Sequence, residues 1–443
     1  MSAALTARPL KKLHDITREQ IERAVLVGIE VGAREVIDAD ESMAELHALA
    51  QSAGVEPVGA VTQKLKAADP RTFIGRGKVA EVRELAVARG AALAIFDDSL
   101  TAAQARNLES ELKLRVIDRS QLILDIFAQR ARSVAGKLEV EIAQLTYLQP
   151  RLTRQWTHLS RVRGGGSGAG MAGTRGPGET QLEVDRRKIR ERLMRLRARL
   201  GEVQRTRGIQ RARRLQVPYP TVALAGYTNS GKSTLMNALT DADVEVANRP
   251  FSTLDPTIRR LKLPGNITAM LADTVGFIHR LPHALVEAFK ATLEEVRTAS
   301  VLLHVVDSSS PLAPERMTIV DRTLAEIGAG ATPRIVVMNK IDLPGAVARP
   351  SDGFDMVAIS ALSCEGLGRL LDAIARHVAV TRQEISVTLP AQRGDLVAMA
   401  RRDGEVLSEE YHDGQVSMRA RVSAPVAGRL RKAEVAGTAS GAR

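Results

Sequence analysis

Eight residues, Gly226-Tyr227-Thr228-Asn229-Ser230-Gly231-Lys232-Ser233, fit the pattern G-x-x-x-x-G-K-[ST]. Thr221 to Ala225 before them reads as a buried strand, and Lys232 to Leu239 after them opens a helix. In that setting the glycines let backbone N–H groups wrap a β-phosphate at a helix N-terminus. Lys232 is expected to reach the β- and γ-phosphates, with Thr234 just beyond it on the same helix. Ser233 is expected to ligate magnesium, Mg²⁺. A chance glycine turn would lack the strand before and the helix after.

The loop alone specifies a nucleoside triphosphate, not its base. The base is chosen by Asn339-Lys340-Ile341-Asp342, delivered by the apolar run Arg334 to Met338. A carboxylate at Asp342 accepts from both N1–H and the exocyclic amine of guanine, a donor pair that adenine lacks. Asn339 is expected to support O6 and the loop, and Lys340 to pack over the base plane. Ser360-Ala361-Leu362, after another short strand, suits a loop whose backbone N–H reads guanine O6.

Asp273-Thr274-Val275-Gly276 follows the strand Ile267 to Ala272. Asp273 is expected to hold Mg²⁺ through water and the Gly276 N–H to contact the γ-phosphate. Phe251-Ser252-Thr253 opens the segment 251–257, where a first switch loop belongs. Thr253, with Thr257 as the alternative, is expected to close over Mg²⁺ and the γ-phosphate. The metal set is therefore Ser233, Thr253 and Asp273, and catalysis is assigned to Lys232, Thr253 and Gly276. Loss of the γ-phosphate would release both loops, which supplies a two-state element. After Gly276 stands Phe277, which cannot orient an attacking water. Slow intrinsic hydrolysis follows, with a partner arranging the missing group, a kind of help worth about 10³–10⁵ in rate.

Other tempting residues have plainer readings. His304 lies in the apolar run VLLHVVD and reads as structural; Asp307 ends that run and caps or lines the site. Cys364, the one cysteine, excludes an internal disulfide and any cysteine metal cluster. The eight histidines show no metal spacing. Asp97-Asp98 reads as a surface turn rather than a metal site.

These motifs need elements to position them. Residues 1–20 read as a flexible extension. Over 21–118, strands at 24–29, 58–62, 92–96 and 114–117 alternate with helices at 43–52, 78–89 and 102–112, which predicts a small α/β domain. One long helix is expected from Gln121 to Leu148, with Val134, Leu138, Ile142, Leu145 and Leu148 on one stripe. Residues 164–178 hold eight glycines and read as a loop. A second helix from Glu179 to Arg214 carries the seam Ile189, Leu193, Leu196, Leu200 and Val203. Residues 119–215 thus predict an antiparallel helical hairpin. A P-loop domain over 217–379, a small α+β unit over 383–430 and a disordered tail over 431–443 complete an α/β chain.

The net charge of +12 is uneven. Arg186 to Arg214 holds thirteen arginines and lysines against Glu191 and Glu202, a local +11. Such a field attracts a polyanion, nucleic acid before anionic membrane. With 3% aromatics, contacts by arginine to phosphate are favoured over base stacking. No signal peptide and no run of about 18 to 20 apolar residues is read, so a cytoplasmic protein is expected. The hairpin satisfies its own seam, so a monomer is expected.

The sequence resembles the HflX-type ribosome-associated GTPases. The resemblance rests on FIGRGKVAEV at 73–82, FDDSLTAAQARNLE at 96–109, the stretch 116–152, GTRGPGETQLEVDRR at 173–187, and the motifs GYTNSGKS, FSTLDPT, DTVGF and NKID. It implies Mg²⁺-dependent GTP hydrolysis stimulated by the ribosome. It also implies binding of the large ribosomal subunit and its RNA through the N-terminal domain and hairpin, and ribosome dissociation under stress. A different reading is an RNA-remodelling protein with an added ATP site, because Gly75-Arg76-Gly77-Lys78 looks superficially like a phosphate loop, though too short for one. A switch held weakly on an anionic membrane by the basic helix is a third, disfavoured because the helix already spends its seam on the hairpin.

Overall fold

The computed structural model describes residues 22–31, 38–151, 177–215, 219–240, 250–251, 253, 255–265, 267–280, 293–346, 355–379 and 382–434. Ser252, the expected hairpin tip up to residue 176, the N-terminal extension and residues 435–443 lie outside them. The chain divides into two compact units at Ile123/Leu124.

In the first unit, strands β1 (Arg23–Val31), β2 (Glu56–Leu65), β3 (Leu93–Phe96) and β4 (Arg115–Asp118) form one sheet in the order β2-β1-β3-β4. Every pairing is parallel. Helices α1 (Ala39–Ser52), α2 (Arg76–Arg89) and α3 (Ala102–Leu112) provide the crossovers. A parallel sheet is covered on its faces, which is why β1 and β3 read as almost unbroken apolar runs. Val25, Val27, Phe96, Val82 and Leu108 meet in the core. Thr101 starts α3 with a capping box to Gln104. Gly75, from the stretch resembling a phosphate loop, starts α2 in extended conformation, and its N–H donates to Gln63 Oε1 at 2.9 Å.

Asp97 is not a surface-turn residue. It is 3% exposed. Ser42 Oγ donates to it at 2.5 Å and Arg119 Nη1 at 2.8 Å, while the other arm of Arg119 reaches Glu45. A carboxylate can be buried when its charge is paired and hydrogen-bonded. The partners lie 22 and 55 residues away in sequence, beyond local reading.

The single helix expected over 121–148 is two. Helix α4 (Arg119–Arg130) stops, and α5 (Val134–Leu148) starts at Ser133, whose extended backbone lets its hydroxyl accept from Gly136 N–H. No glycine or proline marks the break; an N-cap serine does. Val134, now in the first turn, is 56% exposed and leaves the stripe. Most of the hairpin seam forms without Leu148: Leu138 and Ile142 pack on Leu193 and Leu196 of α6 (Pro177–Leu215), flanked by Leu145, Ile189, Leu200 and Val203.

The second unit also contains a six-stranded sheet ordered β10-β9-β8-β5-β7-β6. Its strands are β5 (Thr221–Gly226), β6 (Thr257–Leu263), β7 (Ile267–Asp273), β8 (Val301–Asp307), β9 (Arg334–Asn339) and β10 (Asp355–Ala358). Only β6 runs antiparallel to its neighbour. Helices α7 (Lys232–Leu239), α8 (Glu294–Arg297), α9 (Ala313–Glu326) and α10 (Leu367–Ala379) accompany it. Strands β5, β7 and β9 end at three of the motifs, so the carboxyl ends of these strands gather them, the usual place for ligands in open α/β sheets.

The C-terminal strands β11 (Arg382–Pro390), β12 (Glu405–His412) and β13 (Gln415–Ser423) form an antiparallel sheet with α11 (Gly394–Asp403) and α12 (Ala424–Lys432). Helix α12 continues to Lys432, two residues into the stretch expected as tail. Among the described residues no helix is long and apolar enough to cross a membrane.

Candidate nucleotide site

The P-loop leaves β5 at Gly226 and enters α7 at Gly231, which sits at φ +93° as the residue before the helix. A Cβ on Gly231 would stand 2.3 Å from Asn339 Nδ2, so both backbone and space require glycine there. The same Nδ2 donates to the Ser230 carbonyl at 2.9 Å, and Asn339 Oδ1 accepts from Ala361 N–H at 2.9 Å. One side-chain amide thus ties the phosphate loop to the two loops expected to read the base. Both its ends are engaged, which makes Asn339 a clamp between loops.

Lys232 is buried, and its Nζ donates to the carbonyls of Gly226 (3.2 Å) and Tyr227 (2.9 Å). Burial lowers its pKa to about 8, partly countered by Asp273. Asp273 is also buried; desolvation pushes its carboxyl above the usual range against the pull of Lys232, Ser233 and Thr253. Such a pair is prepared for added charges of both signs, phosphate at the lysine and a cation at the aspartate.

Ser233, Thr253 and Asp273 meet. Ser233 Oγ lies 2.8 Å from Thr253 Oγ1 and donates to Asp273 Oδ2 at 2.8 Å, while Thr253 Oγ1 donates to the same oxygen at 3.1 Å. Asp273 Oδ1 is buried with no hydrogen-bond partner among the described residues. Two hydroxyls and a carboxylate are hard oxygen donors, the set that suits Mg²⁺ with part of its water shell kept. These residues therefore fit the ion. Thr257 instead begins β6, paired across from Asp273.

The second switch loop is sewn to the P-loop by its backbone. Phe277 N–H donates to the Gly226 carbonyl at 3.0 Å, and Thr228 N–H to the Phe277 carbonyl at 2.7 Å. The Phe277 side chain is 2% exposed and does not line the cleft. Gly276 does line it; a Cβ there would stand 3.0 Å from both Lys232 Nζ and Thr228 Cα. Thr274 fastens this loop below, donating to the Leu224 carbonyl at 2.6 Å. Tyr227 adds a further tie, its hydroxyl accepting from His279 N–H at 2.9 Å.

One cleft is lined by Thr228, Asn229, Gly231, Lys232, Ser233, Thr234, Phe251, Thr253, Thr274 and Gly276 at its phosphate end. Asn339, Lys340, Asp342, Leu343, Ala361 and Leu362 line its base end. Of the other residues expected at the site, Gly226, Tyr227, Ser230, Asp273, Val275 and Ser360 stand behind this lining as its backing. Leu343 was missed by the sequence reading; with Leu362 it is an exposed apolar residue at the base end. Lys340 is fixed by Asp307, whose Oδ2 accepts from Nζ at 2.6 Å. Burial opposes ionisation of Asp307, but the bonds from Lys340 and Ser309 outweigh it and hold its carboxyl below the ordinary range. His304 is buried in β8; desolvation first, then Arg334 and Lys232, lower its pKa to about 3, so it is a neutral core residue.

Family models match nearly the whole chain. They are described as GTP-binding GTPase N-terminal over residues 40–128, GTP-binding GTPase Middle Region over 130–214, 50S ribosome-binding GTPase over 221–340, and HflX C-terminal domain over 346–437. GTPase HflX of Caldanaerobacter subterraneus subsp. tengcongensis is 45% identical over 419 residues, 95% of each chain. The chain belongs to the HflX family of GTPases. GTPase HflX of Escherichia coli strain K12 is 44% identical over 389 residues, covering 86% of this chain and 90% of its own. A solved GTP-binding protein from Sulfolobus solfataricus in complex with GDP aligns with 81% of this chain and 98% of its own, at 24% identity and a TM-score of 0.42. As an HflX-family member the protein is an enzyme that hydrolyses GTP. The family's first two segments divide at 128/130, beside the α4–α5 break that a single-helix reading passed over.

Proposed function

We propose that this GTPase is Mg²⁺-dependent and works on the large ribosomal subunit, where it dissociates stalled ribosomes and is itself activated for hydrolysis. The observation that carries the ribosomal part is the divided surface of α6. Its Leu193 and Leu196 are buried against α5, while Arg195, Arg197 and Arg199 stand exposed around them. A helix so arranged is a stiff arm with phosphate-binding side chains outward and its leucine seam already spent on α5. The description of the family model over 221–340 as a 50S ribosome-binding GTPase supports the same partner. Dissociation and a stress role follow from the likeness to HflX-type GTPases. The protein acts in the cytoplasm as a monomer.

At the nucleotide, Lys232 neutralises charge on the β- and γ-phosphates, the Gly276 N–H donates to the γ-phosphate, and Asp342 selects guanine. Ser233, Thr253 and Asp273 would hold Mg²⁺, which supplies charge neutralisation between the β- and γ-phosphates when bound. Phe277 leaves the attacking water without a side-chain partner, so the ribosome is needed to arrange it.

The arm is tested by changing Arg195, Arg197 and Arg199 together to alanine. Affinity for large subunits is expected to fall and the log–log salt slope to flatten by roughly two to three units, about 0.9 for each phosphate no longer neutralised. GTP affinity is expected to stay at the parent level. An unchanged salt slope would remove α6 from the RNA interface.

A further inference from the structure

The first switch segment is held from outside the nucleotide site. Asp255, two residues after Thr253, accepts from Arg132 N–H at 2.9 Å and Ser133 N–H at 2.7 Å through Oδ2, and from the Ser133 hydroxyl through Oδ1. Those donors form the corner between α4 and α5, and Ser133 is the residue that caps α5. Asp255 therefore places a carboxylate at a helix start, where backbone N–H groups and the helix dipole both favour it. On the other side of Thr253, Phe251 is 2% exposed, at φ +57°, with its ring 4.6 Å edge-to-face from Phe127 of α4. A non-glycine residue in that backbone region persists when its surroundings enforce it.

Thr253 thus lies between two anchors, both on the α4–α5 corner, and its hydroxyl points at Ser233 and Asp273. We propose that Asp255, seated on the α4–α5 corner, is the positioning residue that holds Thr253 over the γ-phosphate end of the site. This rests on the reading of Thr253 given above. Because coupling is reciprocal, a γ-phosphate that draws Thr253 inward also seats Asp255 and completes the start of α5, the first helix of the hairpin. The Asp255 carboxylate thereby links the nucleotide state to the arm.

Gly136 offers a probe from the helix side. A Cβ there would stand 2.6 Å from Asp255 Oδ1 and 3.2 Å from Ser133 Oγ. Alanine is the better helix former, so Gly136→Ala favours α5 while pushing Asp255 from its seat. A role limited to supporting the helix and a role in positioning Thr253 give opposite signs.

The experiment measures affinity of the full chain for a non-hydrolysable GTP analogue and for GDP, both with Mg²⁺, in Thr253→Ala, Asp255→Ala and Gly136→Ala. Each variant is expected to lose about tenfold in affinity for the analogue, the size of losing one charge-assisted hydrogen bond, and the two corner variants, Asp255→Ala and Gly136→Ala, are expected to keep GDP affinity within about twofold. In the parent, hydrogen exchange at the Arg132 and Ser133 amides is expected to be slower with the analogue than with GDP. Analogue affinity kept by Asp255→Ala and Gly136→Ala but lost by Thr253→Ala overturns the proposal and leaves the site reading standing. Full affinity in Thr253→Ala overturns both. Equal loss of GDP and analogue in the two corner variants makes Asp255 a general structural residue and overturns the proposal.

Discussion

Lys232→Ala is expected to lower affinity for GTP and GDP by about a hundredfold or more. The residue is buried, its ammonium rests on two loop carbonyls, and the phosphates would replace those weak partners with full negative charge. Charge-assisted hydrogen bonds contribute up to about 3 kcal/mol each, roughly two decades in affinity. The pKa of about 8 adds a pH signature. A bound phosphate favours the charged lysine, so binding above pH 8 must take up a proton, and affinity in the parent is expected to fall from about pH 8 upward. The measurement is fluorescence titration with a labelled guanine nucleotide across pH 7 to 9.5, with circular dichroism confirming that the variant folds. Retained affinity in Lys232→Ala would remove this loop from the site.

The second large effect concerns the base. Asp342 is exposed and lines the cleft with Lys340 and Leu362. On the proposed reading its carboxylate would meet two donors on guanine, N1–H and the exocyclic amine. In Asp342→Asn one oxygen becomes an amide donor facing the exocyclic amine, a donor against a donor. GTP affinity is expected to fall by roughly a hundredfold or more, because a site built for hydrogen bonds rejects a mismatched edge strongly. Xanthine presents a carbonyl where guanine has that amine, so xanthosine triphosphate is expected to bind the variant better than GTP does. Competition binding with GTP, ATP and xanthosine triphosphate checks the order. If GTP still wins in Asp342→Asn, the base is read elsewhere.

The site was legible because its residues are fixed by local backbone geometry. A P-loop needs glycines where the chain turns, a strand before and a helix after, and all three are visible in one stretch. The loops at Asn339–Asp342 and Asp273–Gly276 also follow strands whose carboxyl ends lie on the same side of the sheet. The hairpin seam was legible for the same reason, as 3.5-residue spacing is written into one segment. What escaped was set by partners distant in sequence. Asp97 reads as a turn until Arg119 and Ser42 are brought beside it. The α4–α5 break reads as continuous helix until Ser133 is seen capping α5 with Asp255, 122 residues on, closing over it. Leu343 carries no pattern of its own; only the assembled cleft places this exposed leucine beside Leu362.

Phe277 joins the sequence reading to the geometry. Its backbone is spent on the P-loop and its ring is buried, so the residue after Gly276 offers nothing to the attacking water. Steady-state GTP turnover of the purified protein, alone and with purified large ribosomal subunits, therefore decides whether hydrolysis depends on the ribosome. Slow turnover alone and stimulation of the order of 10³-fold or more by the subunits are expected. Fast turnover alone with no response to subunits would leave a GTPase. It would contradict the dependence on the ribosome and return the basic face of α6 to another polyanion.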